Sequence, residues 1–256
     1  MVVPDQVLGL QQIGEGVQPY WVPSSADGVH LRLEPGENVL RAGRCRVKSS
    51  AGNWILPDDT TIVVTDRRIA FMSTDFDKGG GWVGFGAAGL AISVAANIVS
   101  KHRAAKRSAG LVAIGQLRHE WIDSVELRRE RALLGPVTTY VYLTAPTVNG
   151  SVDVELWGTH VVNQDLAVWL ASLLVWHRTS LAAHMTYSER AELERVRILV
   201  EDPSLGRKDG MKWILPGDIE KLVAAVAPRF SGGEDLRTLP PLPGHSPTVK
   251  LPKADD

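Results

Sequence analysis

Residues 60–73, which read TTIVVTDRRIAFMS, decide the fold that this sequence predicts. The β-branched run TTIVVT at 60–65 is typical of a strand. The polar corner DRR interrupts the apolar residues, and IAFMS at 69–73 resumes them, so the stretch predicts a β-hairpin.

Short segments of the same kind recur on both sides of this hairpin. Strands are predicted at residues 38–48, 60–65, 69–73, 111–121, 124–130, 138–145 and 152–157. About seven short strands in a row indicate an antiparallel meander rather than βαβ units. Residues 162–184 follow with apolar side chains at helical spacing, and Asn163 is positioned to cap this amphipathic helix. Three tryptophans are expected in the core or at the rim of the helix, namely Trp157, Trp169 and Trp176.

The rest of the chain divides by composition. Residues 1–30 are rich in Pro and Gly and predict an irregular N-terminal segment. Residues 31–184 hold the predicted strands and the first helix. Residues 185–230 predict a helical C-terminal extension, with helices at 188–201, where Ser188 is the expected cap, and at 218–227. Residues 231–256 form a Pro-rich tail that is predicted to be disordered.

Three short motifs give residues 31–180 a resemblance to a known family. LEPGE at 33–37 followed by VL, TDRRI at 65–69 and WIDSV at 121–125 resemble segments of bacterial PH-like and GRAM-like domains. In the third motif, the acidic and the apolar position are swapped relative to the family pattern. The resemblance implies a mainly β fold with α, a PH-like antiparallel barrel of about seven strands plugged by one amphipathic helix. It also implies a non-enzymatic adaptor module that binds a protein partner or an anionic lipid.

A Gly/Ala-rich insert at 79–107 interrupts the predicted strands. Residues 79–100, GGGWVGFGAAGLAISVAANIVS, carry no charge and are long enough to cross a bilayer as a helix. A crossing between two strands of one sheet would place half of the sheet on each side of the membrane, which argues against it. We expect the insert to be helical and to lie at a membrane surface, on the protein's own barrel or against a second copy. Small residues that share one face for close helix packing are Gly84, Ala88, Ala91 and Ala95.

Two groups of basic residues are candidate contacts for anions. Arg44, Arg46 and Lys48 alternate along one predicted strand, so their charges share a face and can converge on a lipid headgroup. The alternative is the solvated face of an amphipathic strand. The second group follows the insert and fits either anionic headgroups or the cation-rich end of a helix. Its members are Lys101, Arg103, Lys106 and Arg107.

The sequence shows no catalytic or metal-binding pattern. It has no P-loop and no G-x-S-x-G elbow, and GFGAAG at 84–89 lacks the preceding strand and the later acidic residue of a dinucleotide site. The one cysteine, Cys45, excludes an intramolecular disulfide and predicts a core thiol. His177 and His184 are expected at the surface without a third ligand. We therefore expect no enzyme activity, no cofactor and no metal.

Charge and targeting signals bear on partners and location. The net charge of −1 argues against a nucleic-acid partner. The N-terminus lacks the pattern of a signal peptide, so we expect a cytoplasmic protein, peripheral on the inner face of the cell membrane. We expect the partner to be an unidentified protein, a second copy of the chain or an anionic membrane surface. The alternatives are a soluble scaffold that self-associates through the insert and, with least support, an uncharacterised enzyme.

Overall fold

The computed structural model describes residues 8–12, 31, 33–50, 54–73, 111–131, 137–147, 149–158, 162–202 and 210–231. The described strands are β1 (Leu8–Gln12), β2 (Val39–Ser49), β3 (Trp54–Thr65), β4 (Arg68–Ser73), β5 (Leu111–Arg118), β6 (Ser124–Arg131), β7 (Val137–Thr147), β8 (Gly150–Trp157) and β9 (Gly210–Ile214). The described helices are α1 (Gln164–Ser180), α2 (Tyr187–Glu201) and α3 (Ile219–Ser231). Short 3-10 turns lie at His119–Trp121 and Ala182–His184. The protein is therefore mainly antiparallel β with helices.

The strands form one antiparallel sheet in the order β1-β5-β4-β3-β2-β8-β7-β6-β9. Strands β2 to β5 make one meander and β6 to β8 a second, and the C-terminal part of β2 joins them by pairing with β8. The register of β2 against β3 shifts between Val39 and Arg41 and again between Cys45 and Val47, and such shifts bend a strand. Strands β1 and β9 are the edges of the described sheet, so the described pairings leave it open.

Two of these strands lie where the sequence predicts none. Strand β1 lies within the segment 1–30, which was expected to be irregular, and it pairs with β5. Strand β9 pairs with β6 between the two predicted C-terminal helices. The sheet therefore has nine described strands instead of about seven, and its pairings do not close the expected barrel. Both additional strands are short edges with one neighbour each, so they carry little periodicity that a sequence pattern could reveal.

The main core lies between the inner face of the sheet and α1. Apolar residues from alternate strand positions, such as Val47 and Phe71, pack with Leu166, Leu170 and Leu174 of the helix. Burying one leucine side chain contributes roughly 1.5–3 kcal/mol, so this layer is a principal source of stability. The predicted helix and its cap are confirmed, since the Asn163 side chain accepts a hydrogen bond of 2.9 Å from the backbone N–H of Leu166.

The two halves of the sheet differ on the face away from α1. All six residues of β4 are buried, and Val63, Met72 and Ile114 form a second apolar cluster on that face. In β7 and β8, by contrast, buried apolar residues alternate with half-exposed ones. The outer face of β7 and β8 is therefore partly exposed.

The two C-terminal helices dock on the sheet domain. Helix α2 packs on α1, and α3 packs on the 119–121 turn. The cap of α2 is Thr186 rather than the expected Ser188: its hydroxyl accepts from the Glu189 N–H at 3.3 Å, and a Glu189 carboxylate oxygen accepts from the Thr186 N–H at 2.6 Å. This reciprocal capping box satisfies two backbone donors that a helix N-terminus otherwise leaves open.

Candidate functional site

The basic residues of β2 lie where their alternation predicts. Arg44, Arg46 and Lys48 are exposed on the outer face, whereas Cys45 is fully buried and is a core thiol. The ammonium of Lys48 lies 3.6 Å from a carboxylate oxygen of Glu155 on β8. The face of β2 thus continues onto β8, and the residues opposite the basic group determine what it can bind.

A row of four side chains crosses this outer face on adjacent strands. Arg46 on β2 is paired with Trp157 on β8, the rings of Trp157 and Tyr140 on β7 have centroids 6.1 Å apart, and Tyr140 is paired with Arg128 on β6. We call these four residues the aromatic–arginine row. At about 4.8 Å between strands the row is about 14 Å long. It has a cation at each end and two aromatic rings between them.

A second row runs beside it and carries both signs of charge. In this ion-pair row, Tyr142 on β7 is paired with Glu155 on one side and with Glu126 on the other. Lys48 lies 3.6 Å from Glu155, and Lys212 on β9 lies 3.9 Å from Glu126. Each carboxylate of this row therefore has a cationic neighbour that offsets its charge.

Arg128 connects the two rows. It donates two hydrogen bonds to the Glu126 carboxylate, one from Nε and one from Nη2 at 3.0 Å, and its guanidinium lies 4.4 Å from the ring centroid of Tyr142. The hydrogen bond to Glu126 raises the pKa of Arg128, so the side chain stays charged. The exposed fraction of the Arg128 side chain is 49 %. The guanidinium is therefore held over an aromatic face and is still open to a partner.

Tyr142 is held in its neutral form. Burial, followed by the nearby carboxylates of Glu155 and Glu130, raises the pKa of Tyr142 to about 12. Both causes disfavour the phenolate. The phenol therefore keeps its proton at neutral pH and can donate a hydrogen bond from the sheet face.

This arrangement has the chemistry of a protein-binding surface. Trp, Tyr and Arg are the residue types that contribute most to binding energy at protein interfaces. A partner carboxylate above the aromatic–arginine row would meet a cation at either end and no carboxylate within the row. Among the residues that the structure describes, no group of three or more His, Cys, Asp or Glu side chains is placed to hold a metal ion.

The other predicted site residues lie outside the described residues. The basic group after the insert comprises Lys101, Arg103, Lys106 and Arg107. The small-residue face of the insert comprises Gly84, Ala88, Ala91 and Ala95. In the described part of the chain, no helix combines the length and the apolar character that a bilayer crossing requires.

Sequence reasoning missed the aromatic part of this face. Trp157 was expected in the core or at the rim of α1, but it lies half-buried on the outer face, whereas Trp169 and Trp176 do pack against the core. Period-two alternation in residues 138–145 was the available signal, since it places Tyr140 and Tyr142 on one face. The pairing of Trp157 with Arg46 and of Tyr140 with Arg128 depends on strand register, which the sequence alone does not reveal.

The expectation for the histidines is corrected in part. His184 is exposed, as predicted, but His177 is only 7 % exposed and does not lie at the surface. Helix α1 ends at Ser180, so the two residues do not share one helix face as their spacing suggested. The ring of His177 instead contacts that of His119, with centroids 5.3 Å apart.

Neither a protein-family model nor a curated protein matches this chain. The resemblance to PH-like and GRAM-like domains therefore stays a prediction. The function has to be argued from the geometry of the outer sheet face.

Proposed function

We propose that this chain is a non-enzymatic adaptor module that binds an acidic segment of a protein partner on its outer sheet face. The observation that carries the proposal is the aromatic–arginine row. Its two rings and two guanidiniums lie on four adjacent strands and are held in place by the sheet rather than by a loop. A rigid surface of this kind loses little conformational entropy when a partner binds.

The order of the elements supports a PH-like or GRAM-like origin for the module. Two consecutive meanders, β2–β5 and β6–β8, are joined through β2 and β8 and are followed directly by α1, which covers the core. The resemblance motifs at 33–37 and 65–69 are also brought together, because Glu37 of the first binds Arg68 of the second. Fold alone does not determine function, so the partner has to follow from the surface.

The charge pattern of the face favours an acidic partner. Arg46 and Arg128 end the aromatic–arginine row, and the carboxylate of Glu126 beside it is already bound by Arg128. A partner carboxylate can share the exposed guanidinium, since an arginine has five N–H donors. Aromatic or apolar partner residues would then cover Trp157 and Tyr140. Such contacts contribute through buried area as well as through geometry.

We place this module at the cytoplasmic face of the membrane on sequence grounds. The basic residues Lys101, Arg103, Lys106 and Arg107 follow an uncharged segment, and each cation near an anionic membrane contributes about 1 kcal/mol. Anionic lipid on the outer sheet face and self-association through the insert are the competing assignments, and the binding experiment separates them.

The test measures binding of a fluorescein-labelled peptide rich in Glu and Tyr to the full chain. The variant Arg46→Glu/Arg128→Glu reverses both charges of the aromatic–arginine row. Its matched control, Arg190→Glu/Arg195→Glu, makes the same charge change on exposed positions of α2. We expect the row variant to lose at least about tenfold in affinity and the control to match the parent.

A parent chain that does not bind the acidic peptide, or a row variant that binds like its control, would overturn the protein-binding proposal. Vesicles that contain phosphatidylserine are the second probe. If the vesicles bind the parent but not the row variant, and the peptide binds neither, the face is a lipid site. If vesicle binding instead requires Lys101, Arg103, Lys106 and Arg107, the membrane placement is supported. If Gly84→Leu/Ala88→Leu lowers the oligomeric mass measured by sedimentation, the scaffold alternative is supported.

A further inference from the structure

A group of ionisable side chains is buried where the 119–121 turn, α1 and the segment before α3 meet. We call His119, Glu120, His177 and Arg178 the buried histidine cluster, and their exposed fractions are 0 %, 2 %, 7 % and 0 %. The two imidazoles meet edge to face with their centroids 5.3 Å apart. A carboxylate oxygen of Glu120 lies 3.5 Å from Nε2 of His177. The outer-face proposal uses none of these residues.

His119 is the fully buried histidine of this cluster. Within the described structure, neither of its ring nitrogens has a hydrogen-bond partner. Burial, followed by the charges of His177 and Arg118, holds the pKa of His119 well below its ordinary value of 6.5. A charged imidazole at this position would be a buried cation without an acceptor, which is costly. The closed structure therefore keeps His119 neutral.

The C-terminal segment 210–231 packs against the elements that carry the cluster. The backbone N–H of Leu215 donates to the carbonyl of Asp123 at 2.6 Å, and α3 packs on the 119–121 turn. A Cβ atom at Gly217 would lie 3.7 Å from Nη1 of Arg178, so the loop before α3 lies directly against this guanidinium. Arg178 is in turn anchored to the turn region, since its Nη2 donates to the carbonyl of Ile122 at 2.6 Å. If the segment opened, water would reach the cluster.

We propose that the buried histidine cluster is an acid-sensitive latch, which releases residues 210–231 from the sheet domain as the pH falls through the range in which exposed histidines titrate. In the open form, His119 meets water and takes up a proton as an ordinary histidine does. Because its pKa is lower in the closed form, the closed form is fully favoured above about pH 6.5 and is progressively disfavoured below it. From about pH 7.5 to about pH 5.5, one such group raises the ratio of open to closed form about tenfold.

Charged groups face the cluster from several elements. They are Arg118 on β5, Glu120 in the turn, Asp123 before β6, and His177 and Arg178 on α1, while Asp153 on β8 and Lys212 on β9 act on Asp123. Burial also lowers the pKa of Arg178, to about 10, so it remains a cation throughout this range and disfavours a second one. Asp123 acts in the opposite direction: burial raises its pKa, so its protonation favours the closed form. Among the described groups with a shifted pKa here, His119 is therefore the one whose protonation favours the open form.

Hydrogen–deuterium exchange of the full chain tests the latch. Exchange times at about pH 7.5 and about pH 5.5 are scaled for the intrinsic chemical rate, and peptides from 210–226 are compared with peptides from β7. We expect protection of 210–226 to fall about tenfold at the lower pH and protection of β7 to stay constant. The variant His119→Leu removes the imidazole whose protonation opens the latch and has a similar volume, so its segment should keep constant protection. The matched control His184→Gln changes an exposed histidine and should behave as the parent does.

Two results would overturn the latch. One is a loss of protection that is equal in 210–226 and in β7, since that describes unfolding of the whole protein. The other is a His119→Leu variant that loses protection of 210–226 as the parent does. If this variant does not fold, the comparison of 210–226 with β7 in the parent still decides the question, since an equal loss of protection in the two regions rejects the latch.

Discussion

Arg68 binds Glu37 through two parallel hydrogen bonds, from Nε to Oε1 at 2.8 Å and from Nη2 to Oε2 at 2.7 Å. Their side chains are 1 % and 0 % exposed. The hydroxyl of Thr65 donates to Oε1 at 2.7 Å, and the backbone N–H of Glu34 donates to Oε2 at 2.6 Å. Nη1 of Arg68 donates to Gln116 at 3.0 Å. This network ties the segment before β2 to the corner between β3 and β4.

Removing one partner of this pair should strongly destabilise the fold. Arg68→Met leaves the Glu37 carboxylate buried without its cation, and we expect the free energy of unfolding to fall by about 3–5 kcal/mol. The double variant Glu37→Leu/Arg68→Met replaces the pair with apolar side chains and should recover part of the loss. Urea denaturation followed by circular dichroism measures both. An Arg68→Met protein as stable as the parent would contradict this role.

Acid should weaken the same pair. Burial by itself raises the pKa of Glu37, but the hydrogen bond and the charge of Arg68 outweigh it and hold the pKa below its ordinary value of 4.5. The folded value is thus lower than the unfolded one, so this stabilisation is complete above pH 4.5 and is lost as the pH falls through the folded value. Urea midpoints of Glu37→Gln should decline less steeply than those of the parent below this pH. Parallel curves for the two proteins would rule the effect out.

Gly217 and Gly150 form a matched pair for separating a steric clash from backbone strain. Their φ angles are 123° and 129°, a region that costs other residues about 1–3 kcal/mol. A Cβ at Gly217 would lie 2.7 Å from Cδ1 of Leu222, whereas a Cβ at Gly150 meets nothing within 4 Å. We expect both alanine variants to lose stability in thermal denaturation, and Gly217→Ala to lose more. Equal losses would show that the site relaxes around the new methyl group.

The capping box of α2 makes a local prediction. Thr186→Ala removes the side chain that caps the helix and should cost about 1 kcal/mol of stability. Ser188→Ala changes the residue that the sequence favoured as the cap, and its effect should stay within about 0.5 kcal/mol. Chemical denaturation of the two variants measures the difference. A larger loss of stability for Ser188→Ala than for Thr186→Ala would show that Ser188 is the cap.

Local patterns sufficed for much of the fold. The alternation of Cys45 with Arg44 and Arg46 correctly assigned the two faces of β2, and Asn163 marked the start of α1. These features depend on neighbours along the chain, because strand and helix periodicity are local properties. Strand β9 could not be found in this way, since its five residues are positioned by pairing with β6.

The sequence by itself determined the meander of strands, the amphipathic helix after it and the basic face of β2, because each follows from periodicity and capping within a few residues. Only the tertiary structure decided that Trp157 and Tyr140 lie between Arg46 and Arg128, since strand register sets cross-strand neighbours. It also decided that His177 lies beside His119 in the interior. Such contacts join residues that are far apart in the chain, and their energies come from packing and desolvation that no local pattern contains.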